Sequence, residues 1–296
     1  MRSHPISRAP IPLAARFPGV AVVRASLSTT LLAVSLLALS AAARGQSGDS
    51  ASASLPPHLE ADREVLEFLL HAEPIAEKVI EGSINRPRKL LLERGGERRA
   101  AIFREVHRTV STSEQHHRKL LRDHYVFERA AYELDRLLGI GRVPPTVLRE
   151  IDGQEGSLQL WIDDARPGSE LLRGSAFSGE TGTARRDSVL REMALFDSLV
   201  RNFDRHLNNL LVDDDARVWW IDHTRTFPPL GELEKELEID HCSTPLYQRL
   251  ESVDTDAMRH AVRTLLRPEE RLALAQRHQS IVRHCHRLLT RADAQP

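Results

Sequence analysis

The chain has 296 residues, with 41 basic against 42 acidic side chains. That length suits a leader followed by one domain of two lobes, and the near balance of charge excludes the basic excess expected of a nucleic-acid binder. Two cysteines are too few for a disulfide scaffold. Only four of the basic residues are lysines (Lys78, Lys89, Lys119 and Lys235), the remainder being arginines.

Residues 1–45 carry Arg2, Arg8, Arg16, Arg24 and Arg44 and no acidic residue. An apolar run over 27–39 and a small-residue stretch, Ser40-Ala41-Ala42-Ala43, follow the basic flank. This is the pattern of a signal peptide or, uncleaved, of an N-terminal anchor, and it implies an exported or membrane-anchored protein. Residues 46–57 are Ser, Ala, Gly and Pro-rich and read as a disordered linker. The spacing of Val65, Leu66, Leu69 and Leu70 predicts a helix over 59–72, ended or kinked by Pro74.

Two strands, 89–93 and 98–106, flank Gly95-Gly96, which reads either as a plain hairpin turn or as a phosphate-covering loop. Residues 111–122, including His116-His117, read as a polar loop. Residues 125–138 form an amphipathic helix, with Phe127, Ala130, Ala131, Leu134, Leu137 and Leu138 on one face and Gly139 and Gly141 at its end. Strands are expected over 143–151 and 157–162, around the Asp152-Gly153 turn. After an irregular stretch, a helix is expected over 184–201. A small hairpin, 210–212 with 218–221, turns at Asp213-Asp214-Asp215, and the chain is helical from Leu230 onward. Strands early and helices late make an α+β chain, with an N-lobe over 58–165 and a helical C-lobe over 166–296.

Phosphoryl transfer needs a carboxylate that orients an attacking hydroxyl, and oxygen ligands for magnesium. Asp204, Asn209 five residues later, and Asp222 after the hairpin supply that set. Asp204-Arg205-His206, Asn209 and Ile221-Asp222 resemble the catalytic and metal loops of the phosphatidylinositol 3-/4-kinase family. Related arrangements occur in HipA-like and secretory-pathway kinases and in uncharacterised bacterial members of the group. The resemblance covers roughly residues 86–227. It implies a two-lobed protein-kinase-like fold, ATP and Mg²⁺ as cofactors, and a hydroxyl acceptor that is protein, lipid or sugar. It makes Asp204 the catalytic carboxylate, with His206 bracing its loop, and Asn209 and Asp222 the metal ligands. It places Arg104 and Glu128 as the strand cation and helix carboxylate, and Gln159 and Trp161 along the adenine pocket. Two departures stand out: Arg104 where the family has Lys, and His223-Thr224 where it has Phe-Gly. An Arg keeps the charge in a bulkier, fixed fork, so a catalytically degenerate, nucleotide-binding or scaffold protein is the competing expectation.

Cys242 and Cys285 are free to bridge if the chain is exported. Their neighbours His241, His284 and His286 read as solvated helix histidines in preference to a zinc site.

Overall fold

The computed structural model describes residues 57–83, 85–111, 120–233, 239, 242 and 244–293. The expected leader, the linker up to residue 56, the His116-His117 pair and His241 lie outside the described residues. In chain order the elements are α1 (Pro57–His71), β1 (Glu73–Val79), β2 (Arg88–Arg94), β3 (Glu97–Arg104), β4 (His107–Ser111), β5 (Leu120–His124) and α2 (Val126–Leu137). Then come β6 (Thr146–Ile151), β7 (Gln154–Leu160), β8 (Arg166–Pro167), α3 (Glu170–Arg173) and α4 (Gly179–Val200). The chain continues with β9 (Leu210–Val212), β10 (Val218–Trp220), α5 (Pro245–Ser252), α6 (Thr255–Ala261) and α7 (Pro268–Asp293).

The main sheet is antiparallel, in the order β1-β2-β3-β7-β6. Its side chains alternate between two faces. Leu90, Leu92, Ala101, Phe103, Val147, Ile151 and Leu158 point one way and bury against Phe68 and Leu69 of α1. The alternate positions, Ile102, Arg104, Gln159 and Thr146, point the other way, toward α2. The helix α2 buries Phe127, Ala130, Ala131 and Leu134 in a second core shared with α4, β9, β10 and α5 to α7. This α+β arrangement has the β-rich half first and the helical half second.

Several expectations are corrected. The helix α1 ends at His71, short of Pro74, and Pro74 lies in a strand the sequence did not suggest, β1, beside a register shift between Pro74 and Ala76. That strand is an exposed edge, where a missing N–H costs no ladder hydrogen bond. The ends of the expected polar loop over 111–122 belong to a ladder pairing His107–Ser111 with Leu120–His124. The irregular stretch holds the two-residue β8 and the one-turn α3. Gly95-Gly96 is the β2–β3 turn, both residues having positive φ. The β2–β3 register, Arg94 opposite Glu97 and Arg88 opposite Phe103, puts that turn at the strand end far from Arg104. The β1–β2 connection, residues 80–87, is the one at the Arg104 end.

The C-terminal helices begin on recognisable caps. Thr244 accepts from the Tyr247 N–H ahead of α5, with Pro245 next to it. Asp254 does the same for α6 through the Asp256 N–H. Cys242 and Cys285 form a disulfide that ties α7 to the segment before α5. Both thiols are therefore committed, and His284 Nε2–H donates to the Ile239 carbonyl at 2.8 Å, so it is not freely solvated.

Candidate active site

The site is built where the loop after α4, the β9–β10 hairpin and the start of α2 meet. The helix α4 ends on Arg201 in the left-handed region (φ 53°), which turns the chain into residues 202–209. Asn202 Oδ1 accepts from the Asp204 N–H at 3.0 Å and fixes the first bend. Asn209 Nδ2 donates to the Asp204 carbonyl at 2.7 Å, and Ile221 N–H donates to the Asn209 carbonyl at 3.1 Å. Asn209 is thereby bonded to the loop carrying Asp204 and to the strand end carrying Asp222. Asp222 itself has φ 60°, a conformation that Asp and Asn tolerate better than most residues.

Arg205 holds this arrangement together. Its fork grips Asp197 of α4 (Nε to Oδ2 2.8 Å, Nη2 to Oδ1 3.1 Å). The same guanidinium donates to the carbonyls of Asn209 at 2.8 Å and Ile221 at 3.0 Å. Its Nη2 also meets His223 Nε2 at 3.0 Å. Since Arg only donates, Nε2 is the acceptor and the ring proton of His223 sits on Nδ1. That nitrogen faces Glu128 Oε2 at 3.7 Å, and the His223 N–H donates to Glu128 Oε1 at 3.1 Å. His206, expected to brace the loop, is exposed, and its side chain makes no hydrogen bond among the described residues; the bracing falls to its neighbour Arg205.

Glu128 has no exposed surface, and Arg104 Nε lies 3.5 Å from its Oε1. Burial opposes the charged form of Glu128, but the Arg104 charge and the hydrogen bond from the His223 N–H outweigh it and hold the carboxyl below its ordinary range. Gln159 bonds Thr146 Oγ1 at 2.9 Å and approaches Glu128 Oε2 at 3.5 Å, so it backs the pair from the sheet. Arg104 Nη1 is buried with no hydrogen-bond partner among the described residues. Trp161 is half-buried under the Lys89 ammonium, 3.8 Å from its ring centroid. Lys89 pairs opposite Ile102, which puts it on the same sheet face as Arg104.

Reading the sequence alone misses several residues. Arg225 bridges Asp204 (Nη1 to Oδ2 3.1 Å) and Asp123 (Nε to Oδ2 3.1 Å). Asp123 is fully buried and also takes Arg108 Nη2 at 2.8 Å. Burial works against its charge, but hydrogen bonds from Arg108 and Arg225, with the Arg225 charge, hold its pKa below the usual carboxylate range. Asn85, from the β1–β2 connection, bonds Arg108 at 2.7 Å and so joins this cluster. Arg205 could have been suspected from its place between Asp204 and His206. For Asp123 and Arg225, no spacing signals a pair 102 residues apart.

The donor set suits a hard cation. Asn209 spends its amide nitrogen on Asp204 and leaves Oδ1 as an acceptor. Asp222 accepts from Thr224 Oγ1 at 3.3 Å on Oδ1 and keeps Oδ2. Oxygen donors of this kind match magnesium or manganese, which retain several waters. The buried, unpartnered Arg104 Nη1 matches an anionic group such as a phosphate.

No protein-family model matches the chain. Among solved structures, hydra Fam20 with sugar aligns at TM-score 0.54 and 18% identity, over 76% of this chain and 89% of that one. The Golgi casein kinase aligns at TM-score 0.56 and 16% identity, over 78% and 75%. The same kinase with Mn/ADP bound gives TM-score 0.54 and 16%, over 76% and 75%. The chain therefore has an atypical kinase-like fold. Among curated proteins, Rv2133c of Mycobacterium tuberculosis (strain ATCC 25618 / H37Rv) is 31% identical over 122 residues, 32% of this chain and 44% of that protein. The chain thus spans less than half the length of that relative.

Proposed function

We propose that the chain is an ATP- and divalent-cation-dependent phosphotransferase of the phosphatidylinositol 3-/4-kinase-like type, from its bacterial branch, acting on a hydroxyl group. The observation that carries this reading is that Asn209 is hydrogen-bonded both to Asp204 and to Ile221, the residue before Asp222, with His223 next in the chain reaching the buried Arg104–Glu128 pair. Asn209 Oδ1 and the Asp222 carboxylate would hold magnesium. ATP supplies the phosphoryl group when bound, and Arg104 Nη1 would meet its phosphates. Asp204, with its backbone fixed by Asn202 and Asn209, orients the acceptor hydroxyl and takes its proton. The β1–β2 connection, at the Arg104 end of the sheet, would cover the phosphates, and Trp161 would flank the base. Protein and sugar are the acceptors to try first, since the solved neighbours are named for a casein kinase and for a bound sugar.

Arg225 favours a second reading, a nucleotide-binding kinase fold without turnover. Its guanidinium pairs with the Asp204 carboxylate and so competes with an acceptor hydroxyl for that group.

Thermal shift with ATP, with and without Mg²⁺, tests the proposal. The comparison variant is Asp222→Asn, chosen because Asn tolerates the left-handed backbone. A Mg²⁺-dependent rise in Tm that Asp222→Asn abolishes supports a nucleotide site; no rise in the unaltered protein sinks it. Phosphate release or transfer then separates turnover from binding alone.

A further inference from the structure

At the turn end of the β9–β10 hairpin, a cavity of about 440 Å³ is lined by Ile140, Gly141, Arg142, Arg185, Ser188 and Arg217, among others. Its volume falls within the range of small-molecule sites, roughly 300–1,000 Å³. Three separate elements bring the arginines to it. Arg142 comes from the α2–β6 loop, Arg185 from α4, and Arg217 from the turn of the β9–β10 hairpin.

That loop is held firmly. The Asp135 carboxylate accepts from the backbone N–H groups of Gly141 at 3.0 Å, Arg142 at 2.8 Å and Val143 at 3.1 Å. Arg142 Nη1 donates to the Val218 carbonyl at 3.2 Å, and Trp220 N–H to the Arg142 carbonyl at 2.8 Å. Arg217 stacks on Trp219 at 3.9 Å and donates to the Gly141 carbonyl. Arg185 donates to the Asp215 carbonyl at 3.2 Å.

The charge is poorly balanced. Glu192 approaches Arg142 at 3.7 Å, but Arg185 and Arg217 form no ion pair among the described residues. Of the aspartates in the adjoining turn, Asp213 is taken by the Arg217 N–H and the Trp219 indole, both at 2.8 Å. Asp214 lies 3.8 Å from Arg166. Burial, with the charges of Arg217 and Arg185 adding to it against the pull of Glu192 and Asp135, holds the Arg142 guanidinium below its ordinary value. Three like charges converge on one concave surface with carbonyls as their main partners.

We propose that this cavity binds a small phosphate-bearing anion, gripped by the guanidinium groups of Arg142, Arg185 and Arg217 with the Ser188 hydroxyl as a further donor. Planar forks match phosphate oxygens two at a time, and relief of the mutual repulsion adds to the attraction. This inference is independent of the kinase reading, because none of its residues belongs to the Asp204–Asp222 site.

Isothermal titration of the protein with inorganic phosphate and with inorganic pyrophosphate, in EDTA, tests it. The unaltered protein should show saturable one-to-one binding to one or both. Arg185→Gln with Arg217→Gln should weaken binding roughly tenfold or more, the loss of at least one charged hydrogen bond. Glu192→Gln should strengthen it, and this arm reads out even if the arginine variant fails to fold. Absence of saturable binding, or affinity unchanged in both variants, overturns the proposal.

Discussion

Glu128 and Arg104 are a carboxylate and a guanidinium withdrawn from water, with side-chain exposures of 0% and 6%. Such a pair adds little over an apolar replacement of both, but removing one partner strands the other charge. Glu128→Gln keeps an acceptor for the His223 N–H yet leaves Arg104 unmatched, and should cost about 3–5 kcal/mol in urea unfolding. Arg104→Met in the Glu128→Gln background should then cost less than the two single changes summed. Strict additivity would show that the two groups are not coupled. Spacing alone pointed to Asp204, Asn209 and Asp222, which the fold brings together, because short loops and one hairpin separate them. It did not reveal Arg205 as the brace, nor His223 as the link to Glu128. Those roles depend on which backbone carbonyls and buried carboxylates converge, and local sequence does not encode that.

At the scale of elements, the junction between β5 and α2 governs how the helix carrying Glu128 is presented. The His124 N–H donates to the Thr224 carbonyl at 2.8 Å, and its Nδ1 accepts from the Val126 N–H at 3.2 Å. Burial, with the Arg122 and His107 charges adding to it, pushes the imidazole down to about 3. A folded pKa below the unfolded value of about 6.5 means that the unfolded chain binds the proton more readily. The His124 contribution is therefore complete above about pH 6.5 and is lost as pH falls toward 3. Melting temperature between pH 7 and 4 should fall less in His124→Asn, whose Oδ1 preserves the acceptor without titrating. Parallel curves would place the acid sensitivity elsewhere. The same junction marks the limit of sequence reading for elements. The strand β5 passes for the end of a polar loop because the stretch over 111–122 is largely charged or polar, and β1 passes unnoticed because an exposed edge needs no alternating pattern. The helices and β-hairpins with buried faces, α2 and β9–β10 among them, were legible within a few residues.

At the scale of the whole molecule, the order of strands before helices was readable, and it matches the kinase-like architecture of the solved neighbours. What composition could not foretell is that α2 shares its core with the C-terminal helices. Among the described residues no helix is long and apolar enough to cross a membrane. The Cys242–Cys285 bridge joins positions 43 apart and agrees with the oxidising surroundings that an exported chain would meet. On a chain-entropy basis a loop of that size contributes about 4 kcal/mol. Unfolding in urea with and without dithiothreitol should differ by up to that amount, and equal midpoints would show that the bridge constrains nothing.

The bridge also closes a covalent ring that runs through α5, α6 and most of α7. Arg263 lies exposed inside that ring, on the connection between α6 and α7. A single tryptic nick after Arg263 therefore parts the peptide backbone without parting the protein. The nicked chain should run as one band on a non-reducing gel and as two once reductant is added, so α7 stays tethered through a cut that would otherwise release it.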